Sequence, residues 1–302
     1  GIGALQLMLD RGEQKDWFSS PEIVVETVLA GLGIYLFIVH LFTAKKPFIP
    51  PRIFNDRNFL SGLLLMFAIG MILLASSALL APYLQTLGGY PVATAGLLMA
   101  PRGVGTMIAM LIAGRLSSRV DPRLILLAGI LMLAYSLWDM SYWTPDVSAT
   151  TLTMTTVLQG FGLGFVFIPL QVVAFATLAP DLRTDATALF SLVRNIGSAI
   201  GISVMAFMLA QNTQTVHATL AEHITPFNRL LQSGAAREYW NIGTTQGLSL
   251  IDQVVNRQAA IVAYADDFKL MLLITLPTVL LLLMMRRPGG ATKGEPGHAV
   301  MD

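Results

Sequence analysis

Four ionisable side chains stand inside long apolar runs of the sequence: Glu26, Arg102, Asp139 and Arg194. A charge in an apolar run is costly, so each marks a place where a ligand, a proton, water or a neighbouring helix has to meet it. Arg102 is the sharpest case. In LLMAPRGVGTM it lies about halfway along its run, after Pro101, which lacks a backbone donor, and before Gly103 and Gly105, which let another helix come close. Its guanidinium needs a carboxylate, helix C-terminal carbonyls or water in a cavity. It either lines a transport path or clamps two helices together. Arg194, in LFSLVRNIGSAIG, lies about two turns from the end of its run and can snorkel towards the surface, with the Asn195 amide at a depth where a free amide is costly. Glu26 and Asp139 lie near the ends of their runs, within reach of water.

Small residues and amides fill in the picture. Gly197 and Gly201 form a G-x-x-x-G, which permits backbone-to-backbone helix packing. In LQGFGLGFVFIPLQ, helical spacing puts Gly160, Gly164, Phe167 and Gln171 on one face, approximately, because Pro169 intervenes. Gln171 is expected to look into a wet interior, while Gln159 points partly away. Phe161 and Phe165 share a different face. These glycines lack the strand and soluble helix of a dinucleotide site, so they read as packing residues. With 15 Met and 15 Phe, adaptable apolar lining is available, although most of these residues face lipid or other helices.

Other chemistry is excluded by what the sequence does not contain. There is no G-x-S-x-G, P-loop or kinase signature, so the chain carries neither a recognisable catalytic group nor its own ATP hydrolysis. It has no cysteine, and its four histidines are scattered, so no metal site is expected. A net charge of +1 gives no nucleic-acid footprint.

The elements that position these residues follow from composition. Of 302 residues, 54% are apolar and 12% charged, and mean hydropathy is +0.66. Such a chain has too little polar surface to cover a water-soluble core. A helix needs about 20 apolar residues to cross a bilayer, and seven stretches qualify: 22–43, 59–83, 93–115, 124–142, 151–177, 188–211 and 267–285. None alternates with a period of two, so an all-α membrane bundle is expected. Lys45, Lys46, Arg52 and Arg57 in the 44–58 loop, Arg115, Arg119 and Arg123 in the 115–123 turn, Arg183, and Arg286, Arg287 and Lys293 in the 286–302 tail fall on one side. The short segments 84–92 and 143–150 contain no Lys or Arg. The basic side is expected to be cytoplasmic, with the C-terminus inside and residues 10–21 outside. Residues 1–9 then read as the outer end of a further span, and the chain as a fragment. The 212–266 connection is expected to be a long outer loop. Its second half, with Leu248, Ile251, Val255 and Val262 near helical spacing, reads as an amphipathic helix on the membrane surface or against a partner. The Pro/Gly-rich tail reads as flexible.

The turn AGRLSSRVDPRLIL resembles the cytoplasmic loop motif of the major facilitator superfamily. Gly114, Leu116, Arg119 and Arg123 match; Ser118 replaces the usual Asp, and Asp121 stands near a Gly position. IGALQLMLDRGEQKDWFSS, LQGFGLGFVFIPL, LVRNIGSAIGIS and ITPFN resemble the 14-span drug:proton antiporter branch of that family, the EmrB/QacA type, over essentially the whole chain. The resemblance implies that 22–43 is an extra linker helix and 59–285 the C-terminal six-helix domain, with an N-terminal half outside this sequence. It implies alternating access driven by a proton gradient with no bound cofactor, and the spans 59–83 and 151–177 lining a cavity for lipophilic drugs. It also implies a multi-pass protein of the bacterial inner membrane, working with a periplasmic adaptor and an outer-membrane channel that the long loop would meet. The branch's main proton-coupling motifs have no counterpart here. Export of one metabolite or toxin, and a non-transporting membrane partner, remain open alternatives.

Overall fold

In lipid, backbone polar groups must be satisfied within their own segment, and this chain answers with helices throughout. The computed structural model describes residues 1–12, 15–44, 50–225 and 240–285, and no strand forms among them. The helices are α1 (Ile2–Arg11), α2 (Pro21–Thr43), α3 (Arg57–Pro82), α4 (Val92–Leu116), α5 (Pro122–Met140), α6 (Ala149–Phe175), α7 (Arg183–Ala221), α8 (Thr245–Thr275) and α9 (Thr278–Met284). Among the described residues seven segments are long and apolar enough to cross a membrane, as expected. The expected flexible tail 286–302, Lys45 and Lys46, and the PFN of ITPFN lie outside the described residues.

Helix starts are written locally. Asp56 accepts from the Phe59 amide at 2.8 Å, Ser148 from Thr151 at 3.1 Å and Thr244 from Gly247 at 3.1 Å, each satisfying one of the free donors of a first turn. Asp121, counted above in the loop motif, is the N-cap of α5, accepting from the Arg123 amide at 3.1 Å with Pro122 at the first helical position.

Glycines decide which helices touch. A Cβ on Gly160 would run into the Arg102 carbonyl, and one on Gly164 into Ala109, so α6 lies backbone-close against α4. Gly129 and Gly162 face one another between α5 and α6, and Gly197 and Gly201 meet the carbonyls of Phe67 and Met71, seating α7 on α3. Two apolar clusters fill the bundle, one around Phe59, Ile69, Leu126, Val166 and Phe190, the other around Tyr83, Trp143, Tyr264, Phe268 and Met271. The outer surface is as apolar as the inside. Leu97 is 72%, Leu273 62% and Leu283 74% exposed, a surface that lipid matches and water does not.

The long connection differs from its expected form. Among the described residues no separate amphipathic helix lies across the bundle; residues 245–275 are one helix, and α7 runs on to Ala221. No proline interrupts either extension, and the apolar stripe of the loop segment continues directly into the membrane stripe. Ile251 and Val255 are buried, whereas Leu248 and Val262, assigned to the same face, are exposed. With 39 residues, α7 is about 58 Å long, well beyond the ~30 Å bilayer core. Its far end is tied to α8 by His217 and Asp252, 3.0 Å apart. The last span breaks at Leu276 and Pro277, where proline cannot donate, and resumes as α9.

Candidate functional cleft

A cleft of about 840 Å³, open on one side, lies between α3, α4 and α6. Its lining includes Leu73, Ser77, Met99, Arg102, Met107 and Phe167. The resemblance assigns the walls to the first and fourth helices of the domain, α3 and α6, but α4 supplies most of the surface. The reason is the glycine seam: Gly160 and Gly164 draw one face of α4 onto α6, so its next face, with Gly103 and three methionines, opens into the cleft.

Among the described residues Arg102 is the one charged side chain lining this cleft, and it is 8% exposed. Nη1 donates to Ser77 Oγ at 2.7 Å, and Nη2 donates to Ser76 Oγ and to the Leu73 carbonyl, both at 3.1 Å. Each serine donates its own hydroxyl proton to the Leu73 carbonyl at 3.2 Å, which turns a lone pair towards the guanidinium. Among the described residues no carboxylate lies within ion-pair distance, so the cation is met by dipoles alone. Because α3 and α4 otherwise barely touch, this side chain is also the main bond between them. The guanidinium thus presents uncompensated positive charge to an apolar, thioether-rich cleft, an arrangement suited to a lipophilic solute with a polar or anionic group.

The remaining candidates are scattered. Phe167 joins Arg102 in the cleft. Gln171 is exposed and outside the lining: it continues the Gly160–Gly164–Phe167 stripe, but the last close approach of α4 to that stripe is at Gly164, and nothing roofs the face beyond Phe167. Gln159 is fully buried against α5, its amide nitrogen 4.0 Å from Met140 Sδ and its oxygen without a donor among the described residues. Arg194 is half-buried on α7 and Asn195 is exposed there. The Arg194 carbonyl, rather than its side chain, faces Gly70 of α3. In the turn after α4, Gly114, Arg115 and Arg119 are exposed, and Arg123 is half-buried. Asp139 is structural: Oδ2 accepts from Trp143 Nε1 at 3.1 Å and from Thr155 Oγ1 at 2.5 Å, joining α5 to α6. Glu26 is half-buried on α2, with Oε2 enclosed and no donor among the described residues.

Two features escape a reading by spans. The adjacent hydroxyls of Ser76 and Ser77 receive Arg102, and two neighbouring serines in an apolar run were the available signal. Asp267 is fully buried, although a span starting at 267 places it at the membrane boundary. Neither of its carboxylate oxygens has a hydrogen-bond partner among the described residues.

Comparison with known proteins settles the family. The family profile described as Major Facilitator Superfamily matches residues 3–202. The chain belongs to that superfamily. It is 31% identical over 299 residues to the multidrug export protein EmrB of Escherichia coli K12, covering 98% of this chain and 58% of that protein. It is 30% identical over 269 residues to the fatty acid resistance protein FarB of Neisseria gonorrhoeae, covering 89% and 53%. The lincomycin resistance protein LmrB of Listeria monocytogenes is 26% identical over 226 residues, covering 75% and 48%. The chain therefore spans about half the length of these relatives. In fold, it is similar to a bacterial homologue of the human lysosomal transporter Spinster, solved inward-facing and unoccupied, with TM-score 0.57 and 17% identity over 87% of this chain and 59% of that one. The protein is accordingly a multi-pass membrane protein of a transporter superfamily.

Proposed function

We propose that the chain is the C-terminal half of a proton-driven multidrug exporter of the EmrB type, working by alternating access. The observation that carries this reading is the open cleft beside Arg102, together with the EmrB similarity along nearly the whole chain. A cleft bounded by helices on some sides only is half a binding site, and a second six-helix half would supply the facing wall. In this reading the basic loops and the C-terminus are cytoplasmic, in a bacterial inner membrane. The extensions of α7 and α8 beyond the span are the surface for a periplasmic adaptor and, through it, an outer-membrane channel. Lipophilic drugs occupy the cleft, with Phe167 and the methionines against their apolar part and Arg102 towards their polar group. The turn around Arg115, Arg119 and Arg123 acts as a latch between conformations, and Arg194 and Asn195 lie on a helix whose contacts change.

The test is dye efflux from exporter-deficient cells carrying this chain together with an N-terminal half. Efflux abolished by a protonophore is expected. Efflux that persists with the protonophore, or none when both halves are inserted, refutes the reading. A second reading, export of one dedicated compound, is favoured by relatives whose names specify a single compound class. A vesicle substrate panel separates the two: several unrelated substrates support the multidrug exporter, one supports the dedicated exporter.

A further inference from the structure

Seven residues of α8 at strict four-residue spacing form its buried stripe: Ile251, Val255, Ala259, Ala263, Asp267, Met271 and Thr275. Every position but one fits an interior helix face. Asp267 stands in the middle of the stripe with 0% exposure, and neither oxygen has a donor among the described residues. Its neighbour Asp266 behaves differently, half-buried and paired with Lys269 at 3.1 Å.

Cross-helix contacts place this acid beside an aromatic layer. Arg257 donates to the Leu87 carbonyl at 3.2 Å, and Tyr264 meets Tyr83 edge-on with ring centres 5.4 Å apart, so α8 runs antiparallel to α3. Tyr83 also meets Phe268, with ring centres 6.4 Å apart, which sets Asp267 next to the aromatic layer of Tyr83, Tyr264 and Phe268.

The charged and titratable groups on the elements packed against α8 are few. On α3 and the turn after it they are Tyr83 and, at the far end, Arg57; on α5, Arg123, Tyr135 and the already bonded Asp139. On α7 they are Arg183, Asp185, Arg194 and His217, the last paired with Asp252; α9 has none. On α8 itself, Arg257 and Lys269 are engaged elsewhere, which leaves the Tyr264 phenol in the same layer. Among the described residues no cation lies within ion-pair distance of Asp267. An ionised carboxylate so placed would be buried without compensation, whereas a neutral carboxyl is tolerated.

We propose that Asp267 is a proton-binding site of this domain, protonated in the conformation described here and deprotonated when α8 shifts to admit water. The break at Leu276–Pro277 interrupts the helix between α8 and α9, so α8 is not continuous with the end of its span. The step makes and breaks one O–H bond: the carboxylate takes H⁺ from the side of higher proton concentration and releases it to water on the other. This inference rests on the exporter reading for its role in coupling, but not for its protonation.

The test is carried out on the full chain in lipid nanodiscs, by infrared spectroscopy of the protonated-carboxyl stretch at neutral pH. A band present in wild type and in Asp139→Asn, but lost in Asp267→Asn, is expected; a band unchanged in Asp267→Asn, or absent from wild type, overturns the proposal. In vesicles holding both halves, Asp267→Asn should lose proton-driven efflux yet keep gradient-free substrate exchange, and Asp267→Glu should recover efflux. Wild-type proton-driven efflux retained in Asp267→Asn overturns the coupling role. If wild type exports nothing, the exporter reading fails while the infrared band still decides the proton site. Should Asp267→Asn misfold, the pH response of the wild-type band decides: a band that disappears on alkalinisation supports the proposal, and one that never responds overturns it.

Discussion

Replacing Arg102 with Met removes the guanidinium while keeping an unbranched apolar stem of similar reach. Three hydrogen bonds are lost, to Ser77 Oγ, Ser76 Oγ and the Leu73 carbonyl. Interhelical hydrogen bonds in a bilayer average roughly 0.6 kcal/mol, so the direct loss is ~2 kcal/mol. The acceptors are not stranded, because both serines already donate to the Leu73 carbonyl, and releasing a buried charge offsets part of the loss. Insertion should survive. Binding of a solute that uses the positive charge should not: one charge-assisted hydrogen bond is worth about 1.5–3 kcal/mol, or roughly 10–100-fold in affinity. Dye efflux and substrate binding, normalised to the folded protein in the membrane, measure the difference. Arg102→Lys should fall between, since an ammonium keeps the charge but not the planar fork that spans two hydroxyls and a carbonyl. Wild-type efflux from a normally inserted Arg102→Met protein would refute the solute-facing role and leave Arg102 as the clamp between α3 and α4.

Gly197→Leu and Gly160→Leu should each cost about 3 kcal/mol by overpacking, read as early thermal unfolding in detergent, whereas Gly103→Ala, with nothing within 4 Å of its Cβ position, should be silent. Asp139→Ala strands the Trp143 indole N–H and the Thr155 hydroxyl, for about 2 kcal/mol and a shift in tryptophan emission; unchanged emission and melting would remove it as the α5–α6 link. Gln159→Met should cost under ~1 kcal/mol, because the amide oxygen is already unpartnered and only a long contact to Met140 is lost. Lost efflux with unaltered melting would instead show that Gln159 meets the solute.

Several features of this protein follow from sequence alone because lipid leaves the backbone no choice. Length and apolarity fix the number of spans, Asp56, Asp121, Ser148 and Thr244 fix helix starts, and paired small residues such as Gly197 and Gly201 mark seams. The same condition hides the rest. In water a helix declares its buried face by its polarity, but in a membrane both faces are apolar and the periodicity that would tell them apart is flat. Only packing shows that α4 is the main wall of the cleft, that Gln171 falls outside it, and that Arg102 reaches Ser76 and Ser77 some 25 residues earlier in the chain. Asp267 is the clearest instance. Its neighbours in sequence, Asp266 and Lys269, read as a polar boundary, and only the meeting of α8 with α3, α5 and α7 puts its carboxyl inside. Sequence sets which segments enter the membrane; their mutual contacts decide which side chains face the cleft, the lipid or the core.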